Sequence, residues 1–391
     1  MRVLLAPDCF GGTLTAVQAA EAMAAGWRAA RPGDELALVP LSDGGPGFLD
    51  CLPGERHLAV VQGPLGEPVP AAFLLAGDTA WVESAQACGL HLTDRRDPTT
   101  TTSYGVGQLV RAAVELGARR VVVGLGGSAT NDGGAGLLAA LGLQALDGSS
   151  TPVPPGGLAL ARAARLTGTT VLTGTPVPPG TPVPPETPVP PETPVLTGSC
   201  LLDGVELVAA TDVDAPLLGP YGATMQFAPQ KGATPLQVRE LEVALAHWVD
   251  LVECHLGVQV RDLPGAGAAG GLGAALLALG ATRVPGLQLV AGAVGLAARV
   301  ASADLVVTGE GAFDATSLRG KVVSGVAEAT QQEAIPCLVI AGRVEVGHRQ
   351  AAAAGVEATY DMTELTGGRA LADPQGALQE VAHRVACQWS R

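Results

Sequence analysis

Apolar and polar positions alternate along this chain with two different periods. RVLLAP at residues 2–7 is a short apolar strand, and TAVQAAEAMAAGWRAARPG, which follows, has its apolar positions at helical spacing. Thr15 and Gln18 fit a capping box at the start of that helix, and Pro32-Gly33 stops it. ELALVPLSDGG is the next strand and its turn, so the opening segment reads as a β-α-β unit with parallel strands. The pattern returns near the C-terminus. Residues 303–311, 335–342 and 356–361 read as strands, 315–330 and 347–354 as helices, and DPQGALQEVAHRVACQW as a closing helix. Two early and three late strands predict one five-stranded parallel sheet.

The middle of the chain has a different rhythm. Residues 56–85 hold three strands separated by short Gly/Pro/Asp turns, which predicts an antiparallel meander. Strands at about 119–123 and 205–210 follow, with helices over 103–116, 133–141, 236–254 and 266–279. The expectation is an α/β protein of two domains. Residues 1–54 plus 286–391 form the parallel-sheet domain, and 55–285 an inserted mixed-sheet α/β domain, with the interdomain cleft as the default ligand site. A proline-rich insertion at about 167–198 interrupts this plan. TPVPPG occurs at 151 and 175, TPVPPE at 181 and 187, and TPVLTG at 193. Proline at three positions in six forbids helix and central strand and favours an extended arm, best read as a tolerated tandem duplication.

Composition narrows the function. The chain has 391 residues, 47% hydrophobic and 3% aromatic, so two cores must be built from Ala, Val and Leu. A net charge of −14 argues against nucleic-acid or acidic-membrane partners. No apolar run reaches membrane-spanning length without glycine or charge, and MRVLLAPD does not read as a signal peptide. Seven scattered cysteines without a C-x-x-C pair suggest reduced thiols in a cytoplasmic protein. Of 23 basic residues only Lys231 and Lys321 are lysines, each beside a glycine. They become candidates for sites that need a compact point charge where a guanidinium fork will not serve.

Acids stand at the expected C-terminal ends of strands: Asp8, Asp43, Asp132, Asp212, Asp214, Glu310 and Asp314. Ligands of open α/β sheets bind at those ends, and a wall of carboxylates suits magnesium and a general base. Asp132 and Asp212 are the candidates for the base, Asp314 and Glu310 for the metal, and Asp8 and Asp43 for substrate contact. Glycine supplies the counterpart. GLGGSATNDGG, residues 124–134, offers Gly126, Gly127, Ser128, Thr130 and Asn131 at a strand-to-helix turn, where backbone N–H groups can hold phosphate. LPGAGAAGGLG, residues 263–273, offers Gly265, Gly267 and Gly270. Its G-x-G-x-x-G spacing lacks the acidic residue about twenty positions on that a dinucleotide site needs. There is no P-loop, no protein-kinase motif set and no G-x-S-x-G elbow. The residues point to magnesium-assisted phosphoryl transfer to a small hydroxylated acceptor.

Nearly end to end, the chain resembles the bacterial glycerate kinases of the type I family. The resemblance is carried by APDCFGGTLTA, DPTTTTSYGVGQL, GLGGSATNDGGAG, TDVDAPLLG, APQKGA, PGAGAAGGLGAAL and VTGEGAFDATSLRGKV. It implies ATP-dependent phosphorylation of D-glycerate to 2-phosphoglycerate. It also implies a flavodoxin-like domain with an inserted restriction-enzyme-like α/β domain. Kinases that give the 3-phospho product or use another small hydroxy acid remain open, as do a catalytically weak glycerate or nucleotide sensor and a monomer or homodimer. The chain departs from the family pattern at Gly11, where lysine is usual, at Cys9 and Pro46, and at Arg343, where a small residue is usual. Arg343 is therefore expected to bring a cation into the space that the lysine would fill.

Overall fold

The computed structural model describes residues 1–168, 202–318 and 320–389. Most of the expected proline-rich arm lies outside the described residues. The TPVPPG at 151, ahead of that insertion, is described: Pro152 bridges Leu146, and Val153 N donates to the carbonyl of Ala145 at 3.0 Å. The chain divides into two compact units, Met1–Glu55 with Ala210–Asp212 and Val284–Arg391, and Arg56–Ala209 with Val213–Arg283. Among the described residues no helix is long and apolar enough to cross a membrane.

In the first unit five strands lie in the order Ala358–Asp361, Cys337–Val344, Leu305–Phe313, Arg2–Leu5 and Glu35–Leu38, all parallel. Val3, Leu5, Val307 and Ile340 are buried in one apolar cluster with Met23 and Trp27 of the Ala16–Ala30 helix. Each such side chain contributes about 1.5–3 kcal/mol by leaving water. The capping box that opens this helix is formed: Thr15 Oγ1 accepts from Gln18 N at 3.1 Å, and Gln18 Oε1 accepts from Thr15 N at 2.9 Å. The closing Pro374–Trp389 helix packs on it so closely that a Cβ at Gly26 would stand 2.1 Å from the carbonyl oxygen of Gln379. Because the strands are parallel, all five C-terminal ends meet at one edge, and the loops that leave them bring their polar residues together there.

The second unit is built on a mixed sheet in the order Thr282–Val284, Glu206–Ala210, Arg120–Gly124, Thr79–Glu83, Pro68–Ala76 and Glu55–Gln62. Pro68–Ala76 pairs antiparallel with Thr79–Glu83, which pairs parallel with Arg120–Gly124. Val121, Val123, Leu109, Leu137, Leu245 and Trp248 form its core.

Three local features differ from the expected pattern. The helix expected from 315 begins only at Val322, because Asp314 first ties off a turn. The 266–279 helix runs as Ala268–Ala278, with Ala269, Gly270 and Gly271 at φ of 51°, 70° and 90°, so its first turn is not helical. A small antiparallel pair, Leu143–Leu146 with Arg165–Gly168, has strands too short to show a period in the sequence.

Candidate active site

The first unit contains a cavity of about 510 Å³ lined by Asp8, Asp43, Glu310, Asp314, Lys321 and Arg343, among others. Asp8 follows the Arg2–Leu5 strand, where Asp8 N donates to the carbonyl of Gly309 at 2.8 Å and so keeps the loop against the neighbouring strand. Its Oδ1 accepts from Cys9 N at 2.6 Å, and Asp43 Oδ1 accepts from Gly45 N at 3.1 Å. Glu310 does not follow its strand, as the sequence pattern suggests, but sits within Leu305–Phe313, opposite Ala341. It is 8% exposed, and its Oε1 is buried without a hydrogen-bond partner.

Crowding these acids has a cost that appears in their ionisation. Burial, and then the charge of Asp43, pushes the Asp8 carboxyl up to about 7. Burial raises Glu310 to about 7 as well, opposed by the Ser317 hydroxyl and the Lys321 ammonium. The group is short of positive charge and will favour a proton or a cation. Cys9, pushed up to about 12 by burial and by Asp8 and Asp43, is no nucleophile near neutral pH.

Asp314 stands at the margin of this cavity with a different task. Its Oδ1 accepts from Thr316 N and Thr316 Oγ1, both at 2.7 Å, and from Ser317 N at 3.3 Å. These bonds hold its carboxyl below its ordinary value and close the turn that presents Lys321. Lys321 Nζ in turn donates to Thr316 Oγ1 at 2.9 Å. Lys321 is also the N-cap of the Val322–Gln332 helix, which has no side-chain cap.

The glycine-rich stretches lie in the second unit, packed on each other. Asp132 is 1% exposed and its carboxylate accepts four hydrogen bonds. Ser103 N (2.8 Å), Ser103 Oγ (2.9 Å) and Gly136 N (3.2 Å) reach Oδ2, and Gly134 N (3.2 Å) reaches Oδ1. Burial raises its carboxyl while these donors lower it. Asn131 donates through Nδ2 to Thr224 Oγ1 at 3.1 Å. Lys231, 3% exposed, donates to Ser128 Oγ at 3.0 Å and to the carbonyl of Thr130 at 2.6 Å, and burial lowers it to about 8. The two lysines that composition set apart thus differ: Lys321 lines a cavity, whereas Lys231 is an interior strut under the loop.

The glycines explain the close packing. A Cβ at Gly270 would lie 1.9 Å from the carbonyl oxygen of Thr130, one at Gly271 would lie 2.7 Å from Gly133 Cα, and one at Gly267 would lie 2.3 Å from the carbonyl oxygen of Pro216. The space left bare at Gly267 and Gly270 is therefore filled by protein backbone, where the sequence suggested phosphate. Gly265 takes φ +87°, and its carbonyl oxygen would lie 2.1 Å from a Cβ at Gly273. Gly126 and Gly127 differ, being half-buried and exposed respectively, with Gly127 at φ 64°.

The expected wall of seven acids is thus divided. Asp8, Asp43, Glu310 and Asp314 share the cavity of the first unit. Asp132 is a buried loop anchor, and Asp214 pairs with Arg283 at 2.6 Å with its side chain 79% exposed. Asp212, half-buried, follows the Glu206–Ala210 strand and is not among that cavity's lining residues. Ser103, which holds Asp132, was not singled out from the sequence, although DPTTTTSYGVGQL carried its hydroxyl-rich signal. Among the described residues no group of three or more His, Cys, Asp or Glu side chains has the geometry to hold a metal ion alone.

Residues 3–173 and 198–390 match the model of the glycerate kinase family. A glycerate kinase of Halalkalibacterium halodurans is 38% identical, over 98% of this chain and 97% of its own. The glycerate 2-kinase of Escherichia coli K12 is 37% identical, over 94% and 92%. A crystal structure from Salmonella typhimurium LT2, described as a glycerate kinase 2, superposes with a TM-score of 0.76 at 34% identity, covering 99% of this chain and 98% of its own.

Proposed function

The chain belongs to the glycerate kinase family, and we propose on that basis that it transfers the γ-phosphoryl group of ATP to the 2-hydroxyl of D-glycerate, giving 2-phosphoglycerate with magnesium. The observation that supports this reading most is the meeting of Asp8, Asp43, Glu310 and Lys321 on one cavity of the first unit. Phosphoryl transfer asks a protein for positioning, for charge stabilisation and for a group that takes the acceptor's proton.

Asp8 takes that proton in this proposal. A carboxylate raised to about 7 balances availability as a base against proton affinity near neutral pH. Lys321, at the uncapped start of an eleven-residue helix, contributes a compact cation and the positive end of the helix dipole to the phosphates. The Gly126–Gly127 turn is the part of the signature loop left open to a ligand, and Asp132, Lys231 and Ser103 act as positioning residues beneath it.

The donor set fits magnesium that arrives with its nucleotide. Magnesium takes one or two carboxylates and completes its shell with phosphate and water, so a full protein cage is not required. The buried, unpartnered Oε1 of Glu310 and the neighbouring carboxylate of Asp43 would hold it, and its charge would offset that developing on the transferring group. Asp314 is better understood as the residue that shapes the Lys321 turn than as a ligand.

Phosphorus NMR of a reaction containing ATP, magnesium and D-glycerate tests the reading directly. The expected product is 2-phosphoglycerate. A 3-phosphoglycerate signal would change the regiochemistry, and the absence of any phosphorylated acceptor would leave a binding protein in place of a kinase.

A further inference from the structure

We infer that Arg343 is the residue that recognises the carboxylate of the acceptor, and hence a determinant of the protein's preference for an acidic substrate. The inference rests on the proposed glycerate kinase activity and deepens it. An anion that enters the first unit's cavity meets Asp8, Asp43 and Glu310. The upward shift of two of these acids already reflects burial in a site rich in negative charge. A further carboxylate will enter such a site only against a cation. Two cations line the cavity among the described residues, Lys321 and Arg343. Lys321 is tied to the Asp314 turn through Thr316.

Arg343 is differently placed. Its guanidinium has one ionic neighbour among the described residues, Glu345 Oε1 at 3.7 Å, which is beyond hydrogen-bond length. Its side chain is 66% exposed. Its backbone, by contrast, is fixed on both sides. The carbonyl of Gly342 accepts from Thr363 Oγ1 at 2.7 Å, and Val344 N donates to Asp361 Oδ2 at 2.7 Å. A Cβ at Gly342 would meet the carbonyl oxygen of Gly311 at 2.5 Å, so the strand cannot shift easily. The structure therefore presents an anchored Cα that carries an uncommitted fork of donors on the wall of an acidic cavity. Gly11, which lines the same cavity, has nothing within 4 Å of where its Cβ would stand, leaving room for a ligand. A guanidinium binds a carboxylate through two parallel N–H···O bonds, a geometry that a phosphate oxygen pair can share. The experiment must therefore separate acceptor from nucleotide.

Steady-state kinetics of Arg343→Ala and Arg343→Lys provide the test, with D-glyceramide, the neutral amide of the substrate, as competitor. Arg343→Ala should raise KM for D-glycerate at least tenfold, with kcat and KM for ATP within about twofold of wild type, and Arg343→Lys should recover part of the loss. D-Glyceramide should compete equally well against both proteins, because it lacks the charge that Arg343 reads. A tenfold rise in KM for ATP would assign the fork to phosphate and overturn the inference. An equal loss of glyceramide binding would make Arg343 merely structural. A wild-type protein that phosphorylates D-glycerate, alongside an Arg343→Ala variant with unchanged KM, refutes this inference alone. A wild type that forms no phosphoglycerate refutes the underlying reading and the inference with it.

Discussion

Gly270→Ala separates the two meanings that a glycine-rich stretch can have. The residue sits at φ +70°, and an added Cβ would stand 1.9 Å from the carbonyl oxygen of Thr130 and 2.9 Å from Asn131 Cα. Left-handed backbone costs a residue with a Cβ about 1–2 kcal/mol. Forcing the facing loop away costs a further 1–3 kcal/mol or so, as for other overpacked interiors. That shift also strains the 3.0 Å bond from Gly133 N to the carbonyl of Gly270, worth about 1 kcal/mol. The sum is roughly 3–6 kcal/mol. For a unit of this size it corresponds to a fall in melting temperature on the order of 10 °C. Gly11→Ala is the control. Nothing lies within 4 Å of its Cβ position, and its stability should change by less than about 0.5 kcal/mol. Thermal and urea unfolding of both variants, with kinetics alongside, decide the matter. If Gly270→Ala melts like wild type and instead loses affinity for ATP, the bare backbone serves a ligand and the packing argument is wrong.

Two further outcomes follow from the buried charges. Lys231→Met keeps the aliphatic stem but leaves Ser128 Oγ and the carbonyl of Thr130 without their donor, so urea unfolding should report a loss of about 2–4 kcal/mol. An unchanged midpoint would contradict its role as a strut. The ligand-free protein should also respond to pH through Asp8 and Glu310. Both are raised to about 7 in the fold, so the folded protein keeps protons that the unfolded chain has released. Their contribution is therefore fully present below the ordinary carboxylate range and is lost as pH rises through about 7. Melting temperatures of wild type and Asp8→Asn/Glu310→Gln should agree more closely at pH 5 than at pH 8, where the variant should be the more stable. A difference independent of pH would refute the crowding argument.

The sequence by itself determined the periodic elements and the class of fold. Apolar runs at strand and helix spacing foretold the parallel sheet, because burial of one face is a local demand that each segment records in its own pattern. The capping box at Thr15 and Gln18 was legible for the same reason, since its partners lie three residues apart. The chemistry-bearing types were legible too: the acids after strands, the two lysines and the glycine-rich stretches all stand out along the chain by residue type and spacing alone. What each of them does was decided only in three dimensions. Asp8 and Asp132 look alike in sequence, yet Asp132 is enclosed by donors from Ser103, Gly134 and Gly136, while Asp8 shares a cavity with Asp43 and Glu310. Lys231 and Lys321 look alike as well, yet Lys231 holds Ser128 and Thr130 from over a hundred residues away, and Lys321 bonds to nearby Thr316 on the wall of a cavity. Gly270 could have faced a phosphate or the carbonyl of Thr130, and nothing within its own stretch says which. Periodicity is a property of neighbours along the chain, whereas burial, ionisation and close approach depend on groups that only the folded chain brings together.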